Sequence, residues 1–101
     1  MDEACVFCRV IKGELPCEKV YENEEILAFL DIHPSAPVHV VVVPKKHIIS
    51  FMDTQSMESI FAAAKKIVEL KGIEKSYKIE INGGDLQEVK HLHVHVKGGV
   101  K

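Results

Sequence analysis

The sequence lacks an excess of charge of either sign: thirteen Lys and Arg stand against fifteen Asp and Glu, a formal charge of −2 over 101 residues. That excludes a protein held to nucleic acid or to an anionic membrane by bulk charge, but not one that meets a small anion through a few local groups. Long apolar runs are also missing. The longest, Val38 to Val43, is interrupted by His39 and closed by Pro44, far short of a bilayer span. The amino terminus, Met1-Asp2-Glu3, is acidic where a secretory signal is basic. Three cysteines cannot all pair within one chain, and the expected compartment is a reducing cytosol. Internal repeats, low-complexity tracts and linker-like shifts in composition are absent. What is present, 47% apolar and 28% charged residues, suits one domain over residues 1–101 with a single core.

Cys5 to Lys12 reads as a short helix, because Val6, Phe7, Val10 and Ile11 recur at helical spacing and Gly13 stands where a left-handed cap would. Lys19 to Tyr21 and Ile26 to Asp31 pair as a hairpin about Glu22-Asn23-Glu24. Pro34 and Pro37 fix a loop, and Val38 to Val43 is β-branched enough for a strand buried on both faces. The spacing predicts one long helix on the stripe Met57, Ile60, Phe61, Ala64, Ile67 and Val68, with Asp53 or Thr54 as N-cap and Gly72 as terminator. Tyr77 to Ile81 alternates as a strand, Asn82-Gly83-Gly84-Asp85 turns, and His91 to Val96 alternates again until Gly98-Gly99 ends it. The expected fold is α+β: a five-stranded, mostly antiparallel sheet with two helices segregated from it.

Six histidines is a high count for this length, and three of them lie within five residues. On a strand, His91, His93 and His95 share one face while Leu92, Val94 and Val96 enter the core. Packing explains three such imidazoles poorly. Histidine can be a nucleophile, and it donates well to phosphate oxygens. The plainer alternatives are a solvated polar stripe, which would more usually carry Lys, Thr and Glu, or a metal site. The metal site is awkward from one strand, since the side chains project in parallel. Cys5-x-x-Cys8 gives two zinc-competent sulfurs one helical turn apart. No second pair follows locally, so further ligands must come from distant sequence; two reduced cysteines, or a redox pair, are the alternatives.

These residues, taken in order, resemble the histidine triad (HIT) proteins, and within them the Hint branch of purine nucleotide-binding phosphoramidases. The likeness covers nearly the whole chain. It is carried by Phe7 with Lys12-Gly13-Glu14-Leu15-Pro16, Leu27 to Ile32, Pro34 to His39, and Pro44-Lys45-Lys46-His47-Ile48. Asn82, Gln87-x-Val89, and His91-x-His93-x-His95 followed by Gly98-Gly99 complete it. The resemblance implies that His93 attacks the α-phosphorus of a nucleoside phosphoramidate, leaving a nucleotidyl-histidine for water to hydrolyse, while His95 holds the phosphate oxygens. It gives Asp31 the ribose hydroxyls, Phe7, Val10, Phe29 and Ile32 the purine (ordinary core serves as well for these four), and Asn82 and Gln87 the phosphate side. Some members bind a structural zinc with residues matching Cys5, Cys8, His47 and His91. Members are usually homodimers with a sheet continuous across both subunits.

One departure from the family concerns Glu88, which replaces a serine that contacts the phosphate and helps protonate the leaving group. A carboxylate there repels phosphate unless it is protonated or turned away. Two other functions remain open: dinucleoside polyphosphate hydrolysis, which Gly98-Gly99 disfavours, and a nucleotide-binding regulator with little turnover. His39 reads as a buried, hydrogen-bonded histidine, His33 as a surface one, Lys45 and Lys46 as a solvated loop pair, and Cys17 as inert.

Overall fold

Residues 4–99 are described by the structure, a computed structural model; the acidic Met1-Asp2-Glu3 lies outside them. Helix α1 spans Val6–Ile11 and is followed by strands β1 (Lys19–Glu22), β2 (Ile26–Leu30) and β3 (Val38–Pro44). Helix α2 spans Glu58–Leu70, and β4 (Tyr77–Glu80) and β5 (Val94–Gly98) complete the chain. The strands form one sheet in the order β1-β2-β3-β5-β4, every neighbour antiparallel. The α+β fold with five strands and two helices is therefore as expected, with two short 3₁₀ turns added, Phe51–Asp53 and Gly84–Leu86. None of the described helices is long and apolar enough to cross a membrane.

The two-residue period of the strands divides the core in two. Ile26, Ala28, Val40, Val42, Val94 and Val96 pack against Ile60, Ala64 and Ile67 of α2. On the opposite face Leu27, Phe29, Val41 and Val43 meet Val10 of α1, with Phe7, Ile11 and Leu15 against them. That is why β3 is apolar at nearly every position. Gly98 is fixed by packing: a Cβ there would collide with the side chain of Ile73, just past α2.

Several boundaries differ from the sequence pattern. The last strand begins at Val94 and not at His91, and it includes Gly98. Val42 pairs with Val94, but two steps further β3 reaches Pro44, which has no N–H to continue the ladder. Leu92 N–H instead donates to the Ile48 carbonyl at 2.7 Å. The in-and-out alternation survives without the pairing, since Leu92 is still core and His91 and His93 still face the other way. Neither Asp53 nor Thr54 caps α2. Asp53 accepts a 2.6 Å bond from Ser50 Oγ in the preceding turn, while Ser56 Oγ accepts from Glu58 N–H. Phe61, assigned to the buried stripe, is 42% exposed. The strand expected over Tyr77 to Ile81 ends at Glu80.

Candidate functional site

His93 and His95 end up with opposite hydrogen-bonding duties. His93 Nδ1–H donates to the His91 carbonyl at 2.8 Å, an oxygen that can only accept, so the lone pair of the neutral ring is on Nε2. Phe7 meets the His93 ring edge-on, with centroids 5.0 Å apart. For His95 the order is set from outside. Ser35 N–H donates to His39 Nδ1 (3.1 Å), which leaves His39 Nε2–H to donate to His95 Nδ1 (2.8 Å), so the proton of His95 is on Nε2. Burial is the main reason that His95 is held down to about 4, with His93, His39 and Lys97 adding to it and Asp31 opposing. His39 is likewise lowered by burial. The site thus pairs one imidazole whose Nε2 can attack with one whose Nε2–H can donate. His39 is buried and hydrogen-bonded, as the sequence suggested, and His33 is exposed.

Both rings line a cleft of about 660 Å³. Phe7, Val10, Phe29 and Val41 make an apolar wall from α1, β2 and β3, while Asn82 and Glu88 lie on the segments after β4 and before β5. Asp31 follows β2 at the rim; one oxygen accepts from His33 N–H (2.8 Å) and the other lies 3.4 Å from His39 Nε2. Ile32 borders the cleft but is 82% exposed. Gln87 does not line it. Its buried amide donates to the Ile49 and Val89 carbonyls at 2.6 and 2.9 Å, so it holds the loop that carries Glu88. Lys45 and Lys46 are also elsewhere, and Lys45 pairs with Glu22 at 2.8 Å. Sequence reasoning read Cys17 as inert and passed over Lys97, and both line the cleft. Lys97 had a signal: it follows His93 and His95 at the same two-residue step.

Two clusters of ligand-type side chains flank this cleft. In the first, Cys5, Cys8, His47 and His91 bring four donor atoms within 4.8 Å of one another. Cys8 Sγ lies 3.1 Å from His47 Nδ1 and 3.5 Å from His91 Nδ1, Cys5 Sγ lies 3.4 Å from His91 Nδ1, and the two Nδ1 atoms are 3.2 Å apart. Zinc–ligand bonds of about 2.0–2.3 Å imply tetrahedron edges of roughly 3.3–3.8 Å, close to these separations. His91 Nε2–H donates to the Pro44 carbonyl at 2.8 Å, which turns the lone pair of Nδ1 toward the sulfurs. Cys₂His₂ with that tautomer fits zinc. In the second cluster, Asp31, His39 and His95, His39 carries its proton on the nitrogen that would have to bind a metal. It is a hydrogen-bond relay.

Known proteins share this fold. An uncharacterized HIT-like protein of Chlamydia muridarum is 43% identical over 93% of this chain and 80% of its own length. The structure of a HIT family hydrolase from Clostridium thermocellum superposes with a TM-score of 0.95, at 43% identity over 100% of this chain and 95% of that one. A zinc-bound histidine triad family protein from Mycobacterium smegmatis gives 0.85 at 32% identity, covering 94% and 74%. The HIT domain profile matches residues 12–101. With that profile covering His91, His93 and His95, and with relatives above 40% identical over nearly the whole chain, the chain belongs to the HIT domain family.

Proposed function

We propose that the protein is a nucleotide-binding hydrolase of the Hint type that cleaves purine nucleoside 5′-phosphoramidates through a covalent nucleotidyl-histidine on His93. The observation that carries this reading is the opposed tautomers of His93 and His95 in one cleft. The base lies along Phe7, Val10, Phe29 and Val41, and Asp31 accepts from the ribose hydroxyls. Asn82 contacts the phosphate from the β4 side. His93 Nε2 forms a bond to the α-phosphorus as the phosphorus–nitrogen bond breaks and the amine departs with its electron pair. His95 Nε2–H donates to the phosphate oxygens as charge builds there. Glu88, exposed at the cleft, supplies no hydroxyl proton, so the departing amine takes its proton from water. Water then attacks the phosphorus and frees His93.

Zinc held by Cys5, Cys8, His47 and His91 serves structure. It ties α1, and so one wall of the cleft, to the segment that presents His93. The working form is a cytoplasmic homodimer. This is supported by the outer edge of β4, beside which Phe61, Tyr77 and Ile79 line an apolar groove.

The test is a trap with adenosine phosphoramidate labelled at the phosphate. Rapid acid quench is expected to recover label on His93, and His93→Ala to abolish turnover while the melting temperature holds. His95→Ala should lose a factor of about 10²–10³. Turnover that survives without His93 overturns the mechanism. Tight nucleotide binding with neither label nor turnover would instead mark a regulator, the reading that Glu88 favours. Faster cleavage of dinucleoside polyphosphates than of phosphoramidates would assign the other enzyme class.

A further inference from the structure

Lys97 is the one Lys or Arg among the described residues that line the cleft; the acidic ones, Asp31 and Glu88, oppose an anion there. It stands two residues beyond His95 on the same face of β5, about 6.5–7 Å along the strand. Across the sheet it is level with His39 on β3 and Lys78 on β4, while Glu80 of β4 is level with His95. Its side chain is 16% exposed, and its Nζ sits 2.7 Å from Glu80 Oε1. The same oxygen is 3.5 Å from Lys78 Nζ. Two ammonium groups thus share one carboxylate and leave a positive surplus beside His95. Glu80 stays ionised, held below the usual carboxylate range chiefly by its bond from Lys97.

The placement of this charge is directional. The apolar wall belongs to α1, β2 and β3, whereas the Lys97 ammonium leans from β5 to Glu80 on β4, level with His95. A nucleotide with its base on that wall and its phosphorus at His93 points whatever it carries beyond the phosphate toward β4. We propose that Lys97 recognises a negative charge on that departing group, a carboxylate on the amine or a second phosphate, and so sets which nucleotidyl substrates this protein prefers. The proposal rests on the nucleotide-binding reading above. Its structural rival is a cross-strand ion pair that only fastens β4 to β5; such a pair would move stability but not substrate preference.

The discriminating substrates are the adenosine 5′-phosphoramidates of glycine and of glycinamide, which differ in terminal charge. Wild type is expected to favour the glycine compound by about tenfold in kcat/KM, as one charged hydrogen bond allows. Lys97→Met should bring that ratio near one, Lys97→Arg should keep it, and Glu80→Gln, which frees the ammonium, should widen it. A second arm needs no turnover: the affinities of His93→Ala for ADP and for AMP, measured by calorimetry with and without Lys97→Met. A ratio that depends on Lys97 only for the amines identifies a carboxylate, and only for ADP a phosphate. If no His93 adduct forms but the preference for ADP falls with Lys97→Met, the hydrolase reading fails and the role of Lys97 stands. Ratios unmoved by Lys97→Met in both arms overturn the proposal.

Discussion

At the scale of single residues, two imidazoles two positions apart differ because their Nδ1 atoms meet different partners, a carbonyl for His93 and an N–H for His95. The alternation of the motif was legible in sequence, and so was the burial of His39. The relay from Ser35 through His39 to His95 was not, because it joins residues 35, 39 and 95, which only the β3–β5 pairing brings together. Its cost is testable through pH. His95 has a folded pKa of about 4 against an ordinary value near 6.5, so the unfolded chain binds its proton first on acidification. Stability from this source is therefore whole above about pH 6.5 and drains away as pH falls toward 4. Thermal melts from pH 7 to 4 should fall more steeply for wild type than for His95→Asn; parallel curves would contradict it. Glu88 gives the second residue-scale expectation. It is exposed at the cleft, and a carboxylate near phosphate repels it. Glu88→Ser should raise kcat/KM toward phosphoramidates between about pH 5 and 9. A hundredfold loss, with wild-type rates falling as pH rises, would make Glu88 a catalytic acid instead.

At the scale of elements, the strands and helices were largely legible because their periods are strong, while their ends were not. Pro44 stops the last strand from pairing before Val94, and no reading of His91 to Val96 alone contains that fact. Gln87 shows the same limit, since its partners are backbone carbonyls, one of them Ile49, 38 residues away. Helix α1 is the element whose fate hangs on metal. It is only six residues long and has no acidic residue in its first turn, so it draws little stability from its own sequence. Cys5 and Cys8 fasten it to His47 and His91, and zinc binding then adds to folding. Protein made without a histidine tag should carry close to one zinc per chain, and Cys8→Ser should lower both metal content and melting temperature. Because Phe7 and Val10 ride on α1, the same variant should raise KM for a nucleotide more than it lowers kcat. A fully folded, fully active metal-free protein would refute this.

At the scale of the whole molecule, the two sheet edges are built differently. The β1 edge is blunted: its register slips between Lys19 and Tyr21, and Glu22 there is paired by both Lys19 and Lys45. Such bulges and charges discourage a further strand. The β4 edge has no such bulge, and Tyr77 and Ile79, 54% and 38% exposed, lie beside Phe61 on α2. A second copy added antiparallel at β4 would extend the sheet through both subunits and cover that apolar groove from both sides. A two-fold axis makes the patch complementary to itself, so burying it once buries it twice. Hydrophobic area dominates such an interface, whereas Lys78 and Glu80, on the opposite face of β4, are ion-paired within the subunit. Sedimentation at micromolar concentration should therefore find a dimer. Phe61→Glu and Ile79→Lys should each give folded monomers, since both sites are partly exposed and a charge there costs the single subunit little. A wild type that sediments as a monomer, or variants that stay dimeric, would place the interface elsewhere.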